Sequence, residues 1–400
     1  MRAAGVVCEY NPFHRGHQYL LKTCRELLGA DTAVVCALSG DFVQRGEAAV
    51  FDKFARAEAA CRCGADLVLE LPLPWCLSSA EGFARGGVGL LGALGVSELC
   101  FGSETGELEP LQALAALLTD PAFQERVRAR LTREPKLSYA SARQAEAACI
   151  CGDRAALLGQ PNNILAVEYL KAIRTLGLDV QPVAIRRQGS AHDRDAEQGE
   201  LRSASEIRRR MAAGGRVEND IPPEAFAVYE TESARGRGMT DRRALETAML
   251  ARLRLLHEED CLLLPDAADG LGRRLYRAIR ENGSPDEICA AAATRRYALA
   301  RIRRMLLCAC LEVREGMSAG LPPYARVLAL NARGRAFLRA AGERSTVPIL
   351  TKPAAVRELD TRAAEIFTLG ARAHDFACLA MPGGAQIRPD EDWRKAPAIV

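Results

Sequence analysis

The sequence predicts an α/β protein in which a doubly wound parallel sheet is followed by a mainly helical C-terminal domain. Short apolar runs rich in Val and Leu recur in the first hundred residues without polar alternation, which is typical of strands buried on both faces of a parallel sheet. Amphipathic segments lie between these runs, as expected for covering helices. From residue 225 to about 342, almost every segment instead has helical periodicity.

The elements can be assigned in chain order. Strands are predicted at residues 4–8, 32–38, 66–71, 99–101 and 179–187, with a short one at 347–350, and helices over 110–175. A further helix begins near Ser203 and ends at Gly214-Gly215, because glycine favours helix C-termini. It follows a glycine- and charge-rich loop at 188–199. Ligands of such sheets bind beyond the carboxyl ends of the strands, so the loops after residues 8, 38, 71 and 101 are the candidate site.

The chain length favours more than one domain. At 400 residues it exceeds the roughly 100–200 residues of a typical domain. Pro222-Pro223 marks a boundary, so we expect a Rossmann-like catalytic domain at 1–220 and a mainly helical domain at 221–400. Apolar residues make up 48% and the net charge is only +3, which indicates a globular protein and does not by itself indicate nucleic-acid binding.

The sequence also predicts the compartment and the state of the cysteines. The start lacks the apolar run of a signal peptide, and charged residues interrupt every apolar stretch, so we expect a cytoplasmic protein with no membrane segment. The 14 cysteines include no C-x-x-C pair. We therefore expect reduced thiols and no metal ion held by protein ligands.

The first motif that suggests a chemical function is His14-x-Gly16-His17, which follows the first predicted strand. The helix that starts near His17 offers free N–H groups to a phosphate, and Gly16 lets a nucleotide approach the backbone. Two imidazoles there can donate hydrogen bonds to phosphate oxygens as charge builds up. The alternative is that both histidines only cap the turn and the helix. The position of the motif after the first strand favours the functional interpretation over the capping one.

The second motif is Ser203-Ala204-Ser205-Glu206-Ile207-Arg208, in which Ser203, Ser205 and Arg208 are candidate phosphate ligands. Ser203 followed by Glu206 is equally the pattern of an ordinary capping box at a helix start.

Together the two motifs resemble those of the HIGH-type nucleotidyltransferases. The resemblance narrows to the tRNA(Met) cytidine acetate ligase family through several further segments. These are residues 9–17, 39–47, 66–72, 79–84, 101–104, 161–165, 295–297 and 304–307. Asp41 departs from the family pattern, where asparagine is more usual, and would add negative charge near the phosphates. Ser203 and Ser205 replace the more usual threonine but keep a hydroxyl.

The resemblance implies an ATP-dependent ligase. ATP and acetate would form acetyl-adenylate and pyrophosphate, and the N4 amine of the wobble cytidine (C34) of elongator tRNA(Met) would take the acetyl group. Mg²⁺ would accompany ATP. The ATP site that the resemblance implies comprises Val7, Cys8, Glu9, Tyr10, Asn11, Pro12, Phe13, His14, Arg15, Gly16, His17, Gln18, Tyr19, Leu20, Gly102, Asn162 and Arg187.

Two groups of basic residues are candidate phosphate or tRNA contacts. Lys53 and Arg56 lie one turn apart at a helix start, so both could face phosphates as catalytic residues; ordinary surface charge is the alternative. A helix predicted at 294–313 collects arginines on one side, opposite an apolar stripe. The arginines expected to contact RNA are Arg296, Arg301, Arg303 and Arg304.

Two other functions remain open at the level of the sequence. One is an adenylyltransferase acting on a small phosphorylated metabolite, although such enzymes are usually much shorter. The other is a non-catalytic RNA-binding protein in which the histidines are structural.

Overall fold

The computed structural model describes residues 1–188, 201–383 and 387–400. Within these residues, eight strands form one sheet, and two short strands form a separate hairpin. The strands are β1 Ala3–Cys8, β2 Ala33–Ser39, β3 Phe42–Val43, β4 Glu47–Ala48, β5 Leu67–Leu71, β6 Glu98–Ser103, β7 Gln181–Arg186, β8 Ala325–Leu330, β9 Ile349–Leu350 and β10 Ala398–Ile399. All five strands predicted before the second motif are confirmed.

Helices occupy most of the remaining chain. Those before residue 220 are α1 Arg15–Leu28, α2 Lys53–Arg62, α3 Leu73–Cys76, α4 Ala80–Ala93, α5 Leu108–Thr119, α6 Pro121–Arg133, α7 Tyr139–Cys151, α8 Pro161–Thr175 and α9 Ala204–Ala212. Those after it are α10 Pro223–Ala234, α11 Arg242–Arg254, α12 Glu258–Leu262, α13 Leu271–Glu281, α14 Pro285–Ala292, α15 Leu299–Leu311, α16 Ala332–Gly342 and α17 Thr361–Cys378.

The sheet has the order β10-β8-β5-β2-β1-β6-β7, with β9 beside β8. The five strands from β5 to β7 in this order are mutually parallel, as predicted. Alternate residues of the strands belong to different hydrophobic clusters: Ala3 and Val35 pack in one, Ala4 and Val34 in the other. Both faces of the sheet are therefore buried, which explains the unbroken apolar runs.

The C-terminal part of the chain shares this sheet. β8 pairs antiparallel with β5, and β9 and β10 each run parallel to β8. The expectation of helices throughout 225–342 is wrong at 325–330, where the run Ala-Arg-Val-Leu-Ala-Leu is a buried strand. An apolar run of this length does not by itself distinguish a strand from a buried helix, and pairing with β5 decides. The chain after residue 220 is thus helical in large part but also extends the sheet of the first part.

Smaller differences concern element ends. The helix predicted at 294–313 is α15 and starts only at Leu299, so Arg296 lies in the turn before it. The loop predicted at 188–199 lies, from residue 189 on, outside the described residues. Among the described residues, no helix combines the length and apolar character needed to cross a membrane.

Candidate functional site

The first motif lies where the direction of the sheet changes. In the sheet, β2 and β5 lie on one side of β1, whereas β6 lies on the other side. In open α/β sheets, ligands bind at this switch point, outside the carboxyl ends of the strands. Residues 11–17 follow β1 directly, and Gly102 lies in β6.

Later parts of the chain hold the loop of the first motif in place. The Asn11–Pro12 peptide bond is cis. The side-chain oxygen of Asn11 accepts a hydrogen bond from the Val50 amide at 2.8 Å, and the Phe13 amide donates to the hydroxyl of Tyr229 in α10 at 3.0 Å. The Tyr229 ring also stacks on Phe51, with ring centroids 4.2 Å apart. The histidines are thus carried by a loop whose polar groups are already paired.

The two histidines are oriented by backbone N–H groups. His14 is the N-cap of α1, and its Nδ1 accepts from the Gly16 amide at 3.0 Å. His17 Nδ1 accepts from the His14 amide at 3.3 Å, and the two rings lie 3.8 Å apart between centroids. A neutral imidazole that accepts at Nδ1 carries its proton on Nε2. Both histidines therefore present an N–H donor on the side away from the helix backbone.

Both imidazoles are neutral at physiological pH. Burial, reinforced by the positive charges of Arg187 and Arg208, lowers the pKa of His14 to about 3. Burial also holds the pKa of His17 well below its ordinary value, with His14 and Arg187 adding to the effect. Neutral Nε2–H groups can donate hydrogen bonds to phosphate oxygens, which is the role that the sequence predicts and that stays a prediction here. With pKa values so far below the ordinary value, neither histidine carries a second proton that it could transfer as a general acid near neutral pH.

The protonation of His14 can be measured directly. We expect the NMR shift of its Cε1–H to stay constant from pH 8 to pH 5, because the folded-state pKa is about 3. In urea the same resonance should titrate near about 6.5. The unfolded chain takes up this proton first, so the contribution of His14 to the free energy of unfolding falls as the pH drops below about 6.5. A midpoint near 6.5 in the folded protein would contradict the assignment.

A cavity of about 280 Å³ adjoins the motif. Its walls are His14, Arg15, Gly16, Leu201, Arg202, Asn219 and Asp220. Small-molecule sites usually measure roughly 300–1,000 Å³, so this cavity can hold only part of a nucleotide. A Cβ on Gly16 would lie 2.8 Å from His14 Cε1. The glycine therefore makes room for the histidine ring itself.

The second motif is tied to the first by Arg208. Ser203 is the N-cap of α9 and accepts from the Glu206 amide at 3.3 Å, so the capping role that the sequence left open is confirmed. One guanidinium nitrogen of Arg208 donates to the carbonyl of Asn11 at 2.9 Å. The other approaches the Ser205 hydroxyl at 3.2 Å and Glu47 at 3.3 Å. The arginine thereby brings residues 203–208 to the loop that carries the histidines.

The β3–β4 hairpin connects this site with α15. The Gln44 amide donates to the Glu9 carboxylate at 2.6 Å, and the Gln44 carbonyl accepts from Arg304 at 3.3 Å. Glu47 also lies 3.4 Å from Arg303. Two of the four arginines predicted to contact RNA therefore border the nucleotide site rather than a remote surface.

Gly46 is the point of closest approach between the hairpin and α15. It has φ +78°, and a Cβ there would lie 2.6 Å from the Arg304 amide nitrogen. We expect Gly46→Ala to lower the free energy of unfolding by about 1–2 kcal/mol for the left-handed backbone and by about 1–3 kcal/mol more for the clash. Gly95→Ala is the matched control, since Gly95 has φ +76° and nothing within 4 Å of its Cβ position. Equal losses in urea unfolding would show that the hairpin does not pack on α15.

The other predicted ATP contacts surround the switch point. Val7 and Cys8 end β1, Glu9 and Tyr10 follow it, and Gln18, Tyr19 and Leu20 are half-buried on α1. A Cβ on Gly102 would meet the side chains of Arg187 at 3.2 Å and Leu20 at 3.6 Å. Asn162 begins α8, where its amide donates to the Glu104 carboxylate at 2.7 Å. Glu104 also accepts from the Asn162 and Asn163 backbone amides and so caps α8.

Lys53 and Arg56 do not face a surface, and this part of the prediction is corrected. Lys53 is 1% exposed, and its Nζ lies 2.7 Å from Glu70 and 2.5 Å from Asp392. Burial by itself would lower the pKa of Lys53, but Asp392 and Glu70 raise it above its ordinary value. The Arg56 guanidinium is fully buried and donates to the carbonyls of Glu9, Ser39, Gly40 and Phe51. Four of its five N–H donors therefore hold neighbouring backbone segments together, and the side chain has no exposed surface.

Asp41 is neutralised inside the protein. Its carboxylate accepts from the Lys53 amide at 2.9 Å and lies 2.9 Å from His374 Nδ1 in α17. Burial would raise the pKa of Asp41, but His374 and Lys53 hold it well below its ordinary value. The charge expected near the phosphates is therefore balanced by a histidine from the C-terminal part of the chain.

Two other predicted RNA contacts are already paired with acidic segments. Arg296 Nη2 lies 2.6 Å from Asp269, and Arg301 donates to the Asp266 carbonyl at 2.9 Å. Both guanidinium groups lie over the ring of Tyr297, at 5.5 and 5.2 Å from its centroid. The acids absent from the helix itself are supplied by the loop between α12 and α13.

Comparison with known proteins agrees with this geometry. Residues 1–388 match the model of the family described as HIGH Nucleotidyl Transferase. The chain belongs to the HIGH nucleotidyl transferase family. A tRNA(Met) cytidine acetate ligase of Syntrophotalea carbinolica is 39% identical, with 100% of this chain and 99% of that protein covered. One of Alkaliphilus metalliredigens is 30% identical, with coverages of 99% and 98%.

Solved structures of this family extend the match to the whole fold. TmcAL of Thermotoga maritima bound with alpha-thio ATP superposes with a TM-score of 0.92 at 30% identity, covering 100% of both chains. Its apo form has a TM-score of 0.93. In this HIGH nucleotidyl transferase the parts of the site that sequence reasoning missed are Glu47, Glu104, Arg202 and Asp220. Only the segments around the first two resemble the family pattern, and neither had an assigned role.

Proposed function

We propose that this protein is an ATP-dependent ligase that forms N4-acetylcytidine at the wobble position (C34) of elongator tRNA(Met). The observation that supports this most directly is the pair of neutral histidines at the switch point, in a chain that matches tRNA(Met) cytidine acetate ligases over its full length. Such a site suits chemistry at a nucleotide phosphate. The proposed acyl group and the proposed RNA substrate are inferred from the relatives.

The reaction has two steps. A carboxylate oxygen of acetate attacks the α-phosphorus of ATP, the bond to the bridging oxygen breaks, and pyrophosphate leaves with the electron pair. The N4 amine of cytidine then attacks the acetyl carbonyl carbon, loses a proton and displaces AMP. His14 and His17 donate from Nε2 to the α-phosphate oxygens, where negative charge grows in the first step.

The surrounding residues bind and orient ATP. Arg208, with Ser205 beside it, and Arg187 after β7 provide positive charge around the phosphates. Gly102 and Asn162 border the nucleoside side of the site. Mg²⁺ would accompany ATP and neutralise charge on its phosphates. Asp220, a carboxylate that lines the cavity, is already bonded to Arg202 through both oxygens.

The tRNA lies across the hairpin and α15. Arg303 and Arg304 contact the hairpin that also holds Glu9, so an RNA backbone bound to them would bring its cytidine close to the nucleotide. Arg296 and Arg301 extend the same basic face. A tRNA substrate places the protein in the cytoplasm.

Incubation of the purified protein with ATP, acetate and unmodified elongator tRNA(Met) tests the proposal. Mass spectrometry of nuclease digests should show N4-acetylcytidine at C34, with one AMP and one pyrophosphate released per acetyl group. A tRNA(Met) with C34 replaced by uridine is the matched control and should stay unmodified. Absence of acetylcytidine under saturating substrates, or a nucleotide product formed without tRNA from a small metabolite, would refute it.

A further inference from the structure

We propose that His374, Cys378 and Glu391 form a zinc site that fastens the C-terminal segment to the layer carrying the nucleotide site. His374 and Cys378 lie one turn apart on α17, and Glu391 begins the short 3₁₀ helix Glu391–Trp393 later in the chain. Their ligand atoms all lie within 4.8 Å of one another. The proposal is independent of the substrate proposed above.

The distances match a tetrahedral metal centre. His374 Nε2 lies 3.1 Å from the Glu391 carboxylate and 3.4 Å from Cys378 Sγ. Ligands at the usual Zn–N and Zn–O distances of about 2.0–2.1 Å and a Zn–S distance of about 2.3 Å are separated by roughly 3.3–3.6 Å when the angles are tetrahedral. The two separations from His374 Nε2 are therefore within a few tenths of an ångström of these values, and the third, between Cys378 and Glu391, is within 4.8 Å.

The second nitrogen of His374 supports the same conclusion. Nδ1 lies 2.9 Å from Asp41 Oδ2, in the carboxylate–histidine arrangement that orients a metal-bound imidazole. His374 is fully buried, so its ring orientation is set by this contact and by packing. Asp41 is thus the residue that would make Nε2 the metal-binding atom.

Charge and access are also compatible with a divalent cation. Zinc binding displaces two protons to solvent, one from the Cys378 thiol and one from His374 Nε2, and the resulting thiolate and the Glu391 carboxylate match the charge of Zn²⁺. Arg237 and Lys395, at 2.9 and 3.1 Å from Glu391, oppose binding, whereas Asp52 offsets the charge of Arg237 at 2.5 Å. Cys378 lines a cavity of about 470 Å³, from which water can enter and supply the fourth ligand.

A ligand set of an imidazole, a thiolate and a carboxylate favours zinc over magnesium or calcium, which take oxygen ligands. Asp41 also accepts from the Lys53 amide at the start of α2. The ion would therefore connect α17 and the segment containing Glu391 to the helix that carries Arg56.

Metal binding to the full-length, reduced and chelator-treated protein tests this proposal. With Zn²⁺, one equivalent should remain bound after desalting. With Co²⁺, the protein should show the thiolate charge-transfer band and the visible bands of a tetrahedral centre. Cys378→Ser should abolish the charge-transfer band and weaken zinc binding by about 100-fold, and Asp41→Asn should weaken it by about 10–100-fold.

Cys310→Ser is the matched control, because Cys310 is also 3% exposed and lines the same cavity. It should keep the band. Failure of the folded wild-type protein to retain zinc would overturn the proposal without any variant, and so would an unchanged cobalt band in Cys378→Ser. The zinc result does not depend on acetylation, so failure of the proposed function would leave it standing.

Discussion

Replacing His14 or His17 with alanine is expected to lower the rate of acetyl-adenylate formation by about 10²–10³-fold for each substitution. The physical reason is that each neutral ring offers one Nε2–H donor to phosphate oxygens in a site where burial strengthens the interaction. The donors matter more as charge grows, so the loss should fall mainly on kcat rather than on KM. Acetate-dependent exchange of pyrophosphate into ATP measures this step without tRNA.

The double variant His14→Ala/His17→Ala should lose less than the product of the single effects. Each ring packs on the other at 3.8 Å, and the His14 amide donates to His17, so the two act as one unit. His257→Ala is the control, since His257 is an exposed histidine at the start of α12. Exchange rates within about threefold of wild type in both single variants would show that the histidines are structural.

Replacing Arg56 with methionine is expected to lower the free energy of unfolding by about 3–5 kcal/mol. The side chain is fully buried and bonds to four carbonyl oxygens, from Glu9, Ser39, Gly40 and Phe51. Methionine fills much of the volume but leaves these acceptors without donors. Urea unfolding followed by circular dichroism gives the change.

Arg62→Met on the same helix is the matched control. Its side chain is 46% exposed and pairs only with Glu58 within the helix, so the change should cost no more than about 0.5 kcal/mol. If Arg56→Met unfolds like wild type but loses ATP binding, then Arg56 contacts the nucleotide and the original expectation holds. If neither the free energy of unfolding nor ATP binding changes, the four carbonyl groups do not need the arginine to stay in place.

The five parallel strands and α9 were predictable because their signals are local, whereas the β3–β4 hairpin was not predicted. Buried parallel strands have unbroken apolar sequence, and α9 starts at a serine cap and ends before Gly214. The strand β8 was not predictable, since its apolar run also suits a buried helix. Its identity depends on hydrogen bonds to β5, which lies far earlier in the chain.

The same distinction applies to the site. The first motif was found because histidine, glycine and a strand end lie within a few residues of one another. Lys53 and Arg56 were misplaced because helical spacing shows which side chains share a face but not what covers that face. The partners of Lys53 are the carboxylates of Glu70 in β5 and of Asp392 near the C-terminus, and those of Arg56 are backbone carbonyls.

The sequence alone therefore determined the parallel α/β sheet, the position of the candidate site after its first strand and, through resemblance, the family. Periodicity and short motifs suffice for these features because they depend on neighbouring residues. The tertiary structure alone decided that the histidines are neutral donors, that Asp41 pairs with His374 and that the C-terminal strands complete the sheet. Burial and long-range pairing set these properties, and neither is written in local spacing.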